Sequence, residues 1–292
     1  MAEPSTVPEI FDRRARKLRL ERAARQGLEH SFFGQQIADE LSERLADVTR
    51  GFSDVLFIGP IAAFSRTILP PGFHGQVTVA APAAIMPAAI ACEEDWLPFA
   101  PHSFDLVISG GNLDSVNDLP GALIRIRQVL RPDGLFLGTL FGAGSLTALK
   151  SAMLAADGNR VSARIHPQID VRAAGDLLMR AGFALPVTDN HPIDVRYSTI
   201  MTLIRDLREW GATNSLSSRQ RLQGRASVTA AIARWNDMAE ADGKVCERIN
   251  LLQISGWAPG PDQPKPARRG SATRSLADVL KPSGGTGGKP SA

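Results

Sequence analysis

Residues 104–141 constrain the fold more than any other part of the chain. The run FDLVI at 104–108, introduced by the polar turn Pro101-His102-Ser103, has the length and apolar content of a buried strand. Asn117-Asp118 then supplies a helix cap, and Pro120 sits just inside the first turn, where its missing N–H costs nothing. Leu119, Leu123, Ile126 and Leu130 follow at helical steps and make one apolar stripe. Arg131-Pro132-Asp133-Gly134 ends that helix, and residues 135–141 are again a buried strand. Strand, helix and strand joined by short turns form a βαβ unit, so the expected fold class is a doubly wound α/β sheet with helices on both faces.

The remaining pattern agrees with this reading. Ile37, Leu41, Leu45 and Val48 mark a helix over 35–49. Residues 54–58 and 76–80 are strand candidates, the first ending at Gly59. Helices are expected over 146–156 and over 171–181, the latter stopped by Gly182. Two more over 200–210 and 225–239 suit a cap, and 249–254 is strand-like. From 258 onward Pro, Gly, Lys and Ser dominate, with a short helix former at 275–280. The expected division is a basic helical segment over 1–50, a main domain over 51–257 with cap helices at about 197–243, and a flexible tail over 258–292.

Composition removes several function classes. The two cysteines, Cys92 and Cys246, have no partners at metal-site spacing, and the five histidines are scattered, so no metal enzyme is expected. No apolar run reaches membrane-spanning length, and the start of the chain lacks a signal pattern, which points to the cytoplasm of a bacterium. A net charge of +3 does not demand a nucleic-acid partner. The charge is uneven, however: seven Lys or Arg lie between Arg13 and Arg25 against the single acid Glu21. That run is either a solvated helix face or a docking surface for an acidic partner, an anionic membrane or RNA.

A family resemblance rests on particular stretches. EEDWLPF at 93–99, FDLVISGGNLDSVNDLP at 104–120 and LIRIRQVLRPDGLFLGTLFG at 123–142 occur in fixed order, with IFDRRARKLRLERAA near the start and DVRAAGDLLMRAGF at 170–183. Together they resemble the class I S-adenosylmethionine-dependent methyltransferases, in particular the malonyl-acyl-carrier-protein O-methyltransferases and the methyltransferase-like complex I assembly factors that hydroxylate arginine. The resemblance covers roughly residues 8 to 260. It implies a Rossmann-like sheet, S-adenosylmethionine as cofactor, and a protein partner such as a complex I subunit or an acyl carrier protein.

The resemblance also implies a cofactor set of Gly59, Ala81, Glu93, Asp95 and Ser109. Glu93 matches the acid that contacts the adenine edge, with Asp95 nearby. Other members carry an acid and three glycines in the first loop, because glycine lets the backbone approach the ligand. Here that loop reads Phe57-Ile58-Gly59-Pro60-Ile61-Ala62-Ala63, and only Gly59 remains. Ala81 falls where a carboxylate would hold both ribose hydroxyls. Asp114-Ser115 stands where relatives usually have His-Trp. These changes gather on one ligand while the skeleton stays intact. They imply a weakened cofactor mode and a binding or assembly role; the other reading keeps an active methyltransferase or hydroxylase that holds the cofactor through its backbone.

Other residues read as structural. Arg196 and Tyr197 form a strand-end surface pair unless they face the cleft, as a substrate-pairing arginine would. Gly110-Gly111 lies at the sheet's ligand-binding edge but is also a common turn. Asp114 reads as a helix-side surface residue, the other reading being a replacement acid inside the pocket; Trp96 and Trp257 read as core or edge anchors rather than cofactor-stacking rings, and His166-Pro167 as a loop with no carboxylate or nucleophile beside it.

Overall fold

The computed structural model describes residues 9–158, 162–219, 224–261 and 263. The tail helix expected at 275–280 lies outside the described residues. The unit over residues 1–260 holds the sheet and its helices.

Seven strands form one sheet: β1 (Asp54–Ile58), β2 (Gln76–Ala81), β3 (Ile90–Ala91), β4 (Phe104–Gly110), β5 (Leu130–Phe141), β6 (Ala184–Tyr197) and β7 (Val245–Trp257). Their spatial order is β3-β2-β1-β4-β5-β7-β6. The first five run parallel, whereas β7 pairs antiparallel with both β5 and β6. The order reverses between β1 and β4, which makes their carboxyl ends the topological switch point where ligands of open α/β sheets bind.

Side chains alternate across the sheet as the strand period requires. Val55, Phe57, Leu106 and Ile108 enter one core; Leu56, Ile58 and Val107 enter the other. The first core is closed by α1 (Arg13–Gln26), α2 (Phe32–Ala46), α3 (Ser65–Ile68), α5 (Thr147–Asp157), α7 (Ile200–Glu209) and α8 (Gly224–Asn236). The second is closed by α4 (Leu119–Val129) and α6 (Val171–Arg180). Helices α7 and α8 lie between β6 and β7 in the chain, and α7 packs on α1 while α8 packs on α5.

The unit at 104–141 forms as expected, with one difference. Asp118 caps α4 by accepting the Gly121 N–H at 2.8 Å, but β5 begins at Leu130 rather than Leu135. Phe104 pairs with Leu130 and Leu106 with Leu135, so Arg131 to Gly134 bulge out of register, with Asp133 at φ 60°. The polar β6 is an edge strand, and that position tolerates Pro186 and Pro192. Helix α5 has no cap of its own. The buried Glu247 of β7 supplies one, accepting the N–H groups of Ala148 and Leu149 at 3.0 and 2.8 Å.

Gly34 shows how closely α2 approaches its neighbours. A Cβ there would stand 2.4 Å from the Phe64 ring and 2.6 Å from the Trp210 ring, and both rings are buried. Gly34→Ala is therefore expected to destabilise by about 1–2 kcal/mol, because overpacking outweighs the helix propensity gained. Denaturant unfolding checks this, and an unchanged midpoint would contradict the packing.

Candidate functional site

The switch point is occupied by a polar network reaching in from the start of the chain. Gly59 leaves β1 with φ 83° and ψ −163°, a conformation that only glycine adopts readily. Its N–H donates to the Ala80 carbonyl at 2.8 Å. A Cβ on Gly59 would lie 2.6 Å from the Asn112 amide, so that side chain fills the space above the glycine. Ser109 Oγ, fully buried at the end of β4, donates to Asn112 Oδ1 at 2.9 Å. Asn112 Nδ2 in turn donates to Glu94 Oε1 at 2.8 Å.

Arg16 of α1 completes the network. Its guanidinium is 5% exposed and uses all five N–H groups. Nη1 donates to Glu94 Oε2 at 2.7 Å and to Glu93 Oε2 at 3.3 Å. Nη2 donates to Glu94 Oε1 and to the Asn112 carbonyl, and Nε to Ser115 Oγ at 2.9 Å. Arg13 grips Asp95 through both terminal guanidinium nitrogens, at 3.1 and 2.7 Å, and approaches Glu93 at 3.3 Å. Burial pushes the Glu93 carboxyl above its ordinary range, against the pull of Arg16. Two of the seven cations of the basic run therefore point inward, onto the acids at 93–95.

The loop after β1 is packed rather than open. Phe57, Ile61 and Ala62 are buried in the core, and Pro60 offers no N–H. Ala81 is likewise fully buried and its side chain carries no polar atom. Of the five residues expected to serve a cofactor, Ser109 and Gly59 meet at Asn112. Glu93 and Asp95 meet at the arginines, and Ala81 lies within the first core.

Beside this network a second cluster forms around Asp114 and His166. A cavity of about 20 Å³ is bordered by Arg16, Asn112, Asp114, His166 and Trp210. Asp114 is not the surface residue its sequence context suggests: Oδ1 is buried and has no hydrogen-bond partner among the described residues. Burial pushes its carboxyl up to about 6. His166 does sit in a loop, but not without a neighbour. The Ser215 N–H donates to its Nε2 at 2.9 Å, which leaves the ring proton on Nδ1, and Ser215 Oγ lies 3.2 Å away. Burial, then Arg19 and Arg16, lowers this imidazole to about 4, so it is neutral at physiological pH.

Comparison with known proteins decides the family. Residues 77–138 match the family described as Methyltransferase domain. The chain is 31% identical over 288 residues to the mitochondrial arginine-hydroxylase NDUFAF5 of Danio rerio, covering 93% of this chain and 90% of that protein. The chain belongs to the class I S-adenosylmethionine-dependent methyltransferase family. It is also 35% identical over 164 residues to the malonyl-[acyl-carrier protein] O-methyltransferase of Xylella fastidiosa, covering 56% of this chain and 55% of that protein. Among solved structures, the YcgJ protein of Bacillus subtilis aligns with a TM-score of 0.49 and 14% identity, over 77% of this chain and 99% of that one.

In this methyltransferase-family chain several sequence readings need correction. Trp96 is 68% exposed and anchors no core. Tyr197 is buried rather than at the surface, while Arg196 is exposed and paired with Glu240 at 2.6 Å and Asp242 at 2.8 Å. Arg16, Glu94, Asn112 and Trp210 do not stand out as site residues in the sequence. The usable signal is the run of acids at 93–95, which a cation run elsewhere in the chain would be expected to meet. Among the described residues no helix is long and apolar enough to cross a membrane, and no group of His, Cys, Asp or Glu is arranged to hold a metal ion.

Proposed function

We propose that this methyltransferase-family protein has lost the ordinary S-adenosylmethionine mode of its fold and works by binding a protein partner. The observation that carries the reading is the Arg16–Glu94–Asn112–Ser109 network over the carboxyl ends of β1 and β4. The donor set does not fit the cofactor. Ala81 and Phe57 bring no carboxylate, Pro60 no N–H, and Glu93 and Asp95 are already held by Arg16 and Arg13. Each charge-assisted bond lost in this way costs about 1.5–3 kcal/mol, or roughly ten- to a hundredfold in affinity. The resemblance supplies the partner class, a complex I subunit or an acyl carrier protein, and a role as an assembly factor.

A second reading keeps an active S-adenosylmethionine-dependent enzyme, methyltransferase or hydroxylase, and is favoured by the 31% identity to an arginine-hydroxylase over almost the whole chain. Calorimetric titration with S-adenosylmethionine and S-adenosylhomocysteine separates the two. No heat at millimolar ligand is expected. Micromolar binding that Glu93→Ala weakens by about tenfold or more would establish the enzyme reading instead.

A further inference from the structure

The basic run presents its other face to a cleft that takes no part in the network at the switch point. This cleft, of about 960 Å³, runs between α1 and α7 and is closed by the segment after α7. Arg14, Leu18 and Arg22 line one wall at four-residue steps, and Ile204 and Arg208 line the facing wall at the same step. Arg19, Arg164 and Arg219 complete a lining of six arginines, against which Asp12 is the single acid.

The internal partners account for only part of this charge. Arg219 pairs with Asp12, Arg164 with Asp157, and Arg19 donates to Thr213 Oγ1 at 3.0 Å. Arg14, Arg22 and Arg208 are exposed and form no ion pair among the described residues. Like charges crowd the cleft: burial, then Arg219 and Arg22, holds the Arg19 guanidinium below its ordinary range. An anion entering here would meet preformed, unneutralised donors.

The lining also has an apolar part. Leu18, 48% exposed, and Ile204 stand among the arginines of the two walls, and Met153 lines the cleft with them. Met153, Ile204, Arg164, Thr213 and Asn214 also border a second, deeper pocket of about 150 Å³. Phe141, Leu146, Leu149 and Leu207 line its interior, and Asp114 and His166 also border it. An apolar pocket of this volume takes a group the size of benzene. The combination selects an occupant with carboxylates on either side of one large apolar side chain. A phosphate backbone would satisfy the rim and leave the pocket unfilled.

We propose that the cleft between α1 and α7 docks an acidic segment of a partner protein, with carboxylates on the arginine rim and one large apolar side chain in the inner pocket. The assignment rests on the protein-binding reading above and gives that reading a surface. The test is fluorescence anisotropy of the full chain with a labelled peptide of about 12 residues that carries Glu on both sides of a single Phe. Binding is expected to weaken about tenfold or more in the triple variant Arg14→Glu, Arg22→Glu, Arg208→Glu, and to weaken with added salt. Replacing the peptide's Phe by Ala should cost about fivefold or more. Where the triple variant melts early, the corresponding Arg→Gln set carries the same comparison.

No peptide binding, or equal binding by wild type and variant, overturns the proposal. So does a peptide whose affinity ignores the loss of Phe, or an RNA oligonucleotide or anionic vesicle that binds through these arginines while the peptide does not. Failure here with a silent S-adenosylmethionine titration removes only the cleft assignment. Micromolar cofactor binding removes the reading on which the assignment rests.

Discussion

Arg16→Met is expected to lower stability by about 3–5 kcal/mol, because it leaves the buried carboxylate of Glu94 without its cation. Glu94 is 1% exposed and receives both terminal nitrogens of the guanidinium. Asn112 alone cannot replace that charge. The double variant Arg16→Met, Glu94→Gln removes the charge and its partner together and is expected to regain most of the loss, about 2 kcal/mol or more. Denaturant unfolding of the singles and the double closes the cycle. A double variant as unstable as Arg16→Met would show that packing at position 16, and not the ion pair, holds α1 on the sheet.

Asp114→Asn is expected to stabilise the protein at high pH and to leave it unchanged at low pH. Burial raises the folded carboxyl from 3.8 to about 6. Its favourable contribution is therefore complete below pH 3.8, where both states are protonated, and is lost as pH rises through 6. Above that point the wild type carries the whole penalty, about 3 kcal/mol, since each tenfold change in proton affinity is worth about 1.36 kcal/mol. Asparagine keeps the shape and cannot ionise. Melting is expected to rise by roughly 5–10 °C at pH 8 and not at pH 4. A gain of equal size at both pH values would refute burial as the cause.

His166 runs the opposite way. Its folded value, lowered from 6.5 to about 4, gives stability that is present above 6.5 and lost as pH falls through 4. In the wild type the two neighbours offset each other over much of this window. In Asp114→Asn the histidine slope stands alone.

Burial decides how much of the fold and site is legible in the sequence. β1, β4 and β5 lie inside the sheet with both faces covered, so each reads as a continuous apolar run. β6 is exposed along most of its length and carries two prolines, so nothing in ALPVTDNHPIDVRY announces a strand. β7 reads as strand only over 249–254, because Cys246-Glu247-Arg248 before it and Ser255-Gly256 after it break the apolar run, and Glu247 is buried by capping α5 rather than by apolar packing. The loop over 57–63 is readable because its departure from the resembling family is one of residue type at fixed positions. The network that fills it is not. The buried face of α1 consists of Ala15, Arg16, Leu20 and Ala23, and no periodicity distinguishes Arg16 from the six other cations around it. Asp114 sits in a polar stretch, and only tertiary contact shows that its Oδ1 is out of reach of solvent.

The anchoring of α1 has a consequence for synthesis. The backbone N–H of Asp12 bonds the Ser215 carbonyl at 2.9 Å, and Phe11 bridges to Leu216, about 200 residues later in the chain. At a ribosome's pace of about 5–20 residues per second, this helix waits roughly 10–40 s for the last segment that holds it, well after Glu94, Asp95 and Asn112 are made. During that interval α1 lacks part of its final anchoring, and five of its seven cations have no partner among the acids at 93–95. Leu20, which lies against Gly211 in the finished fold, lacks that cover throughout the wait. A chain interrupted before Ser215 would release that helix held by Arg13 and Arg16 but without its backbone anchor, as a cationic segment more open to chaperones and proteases.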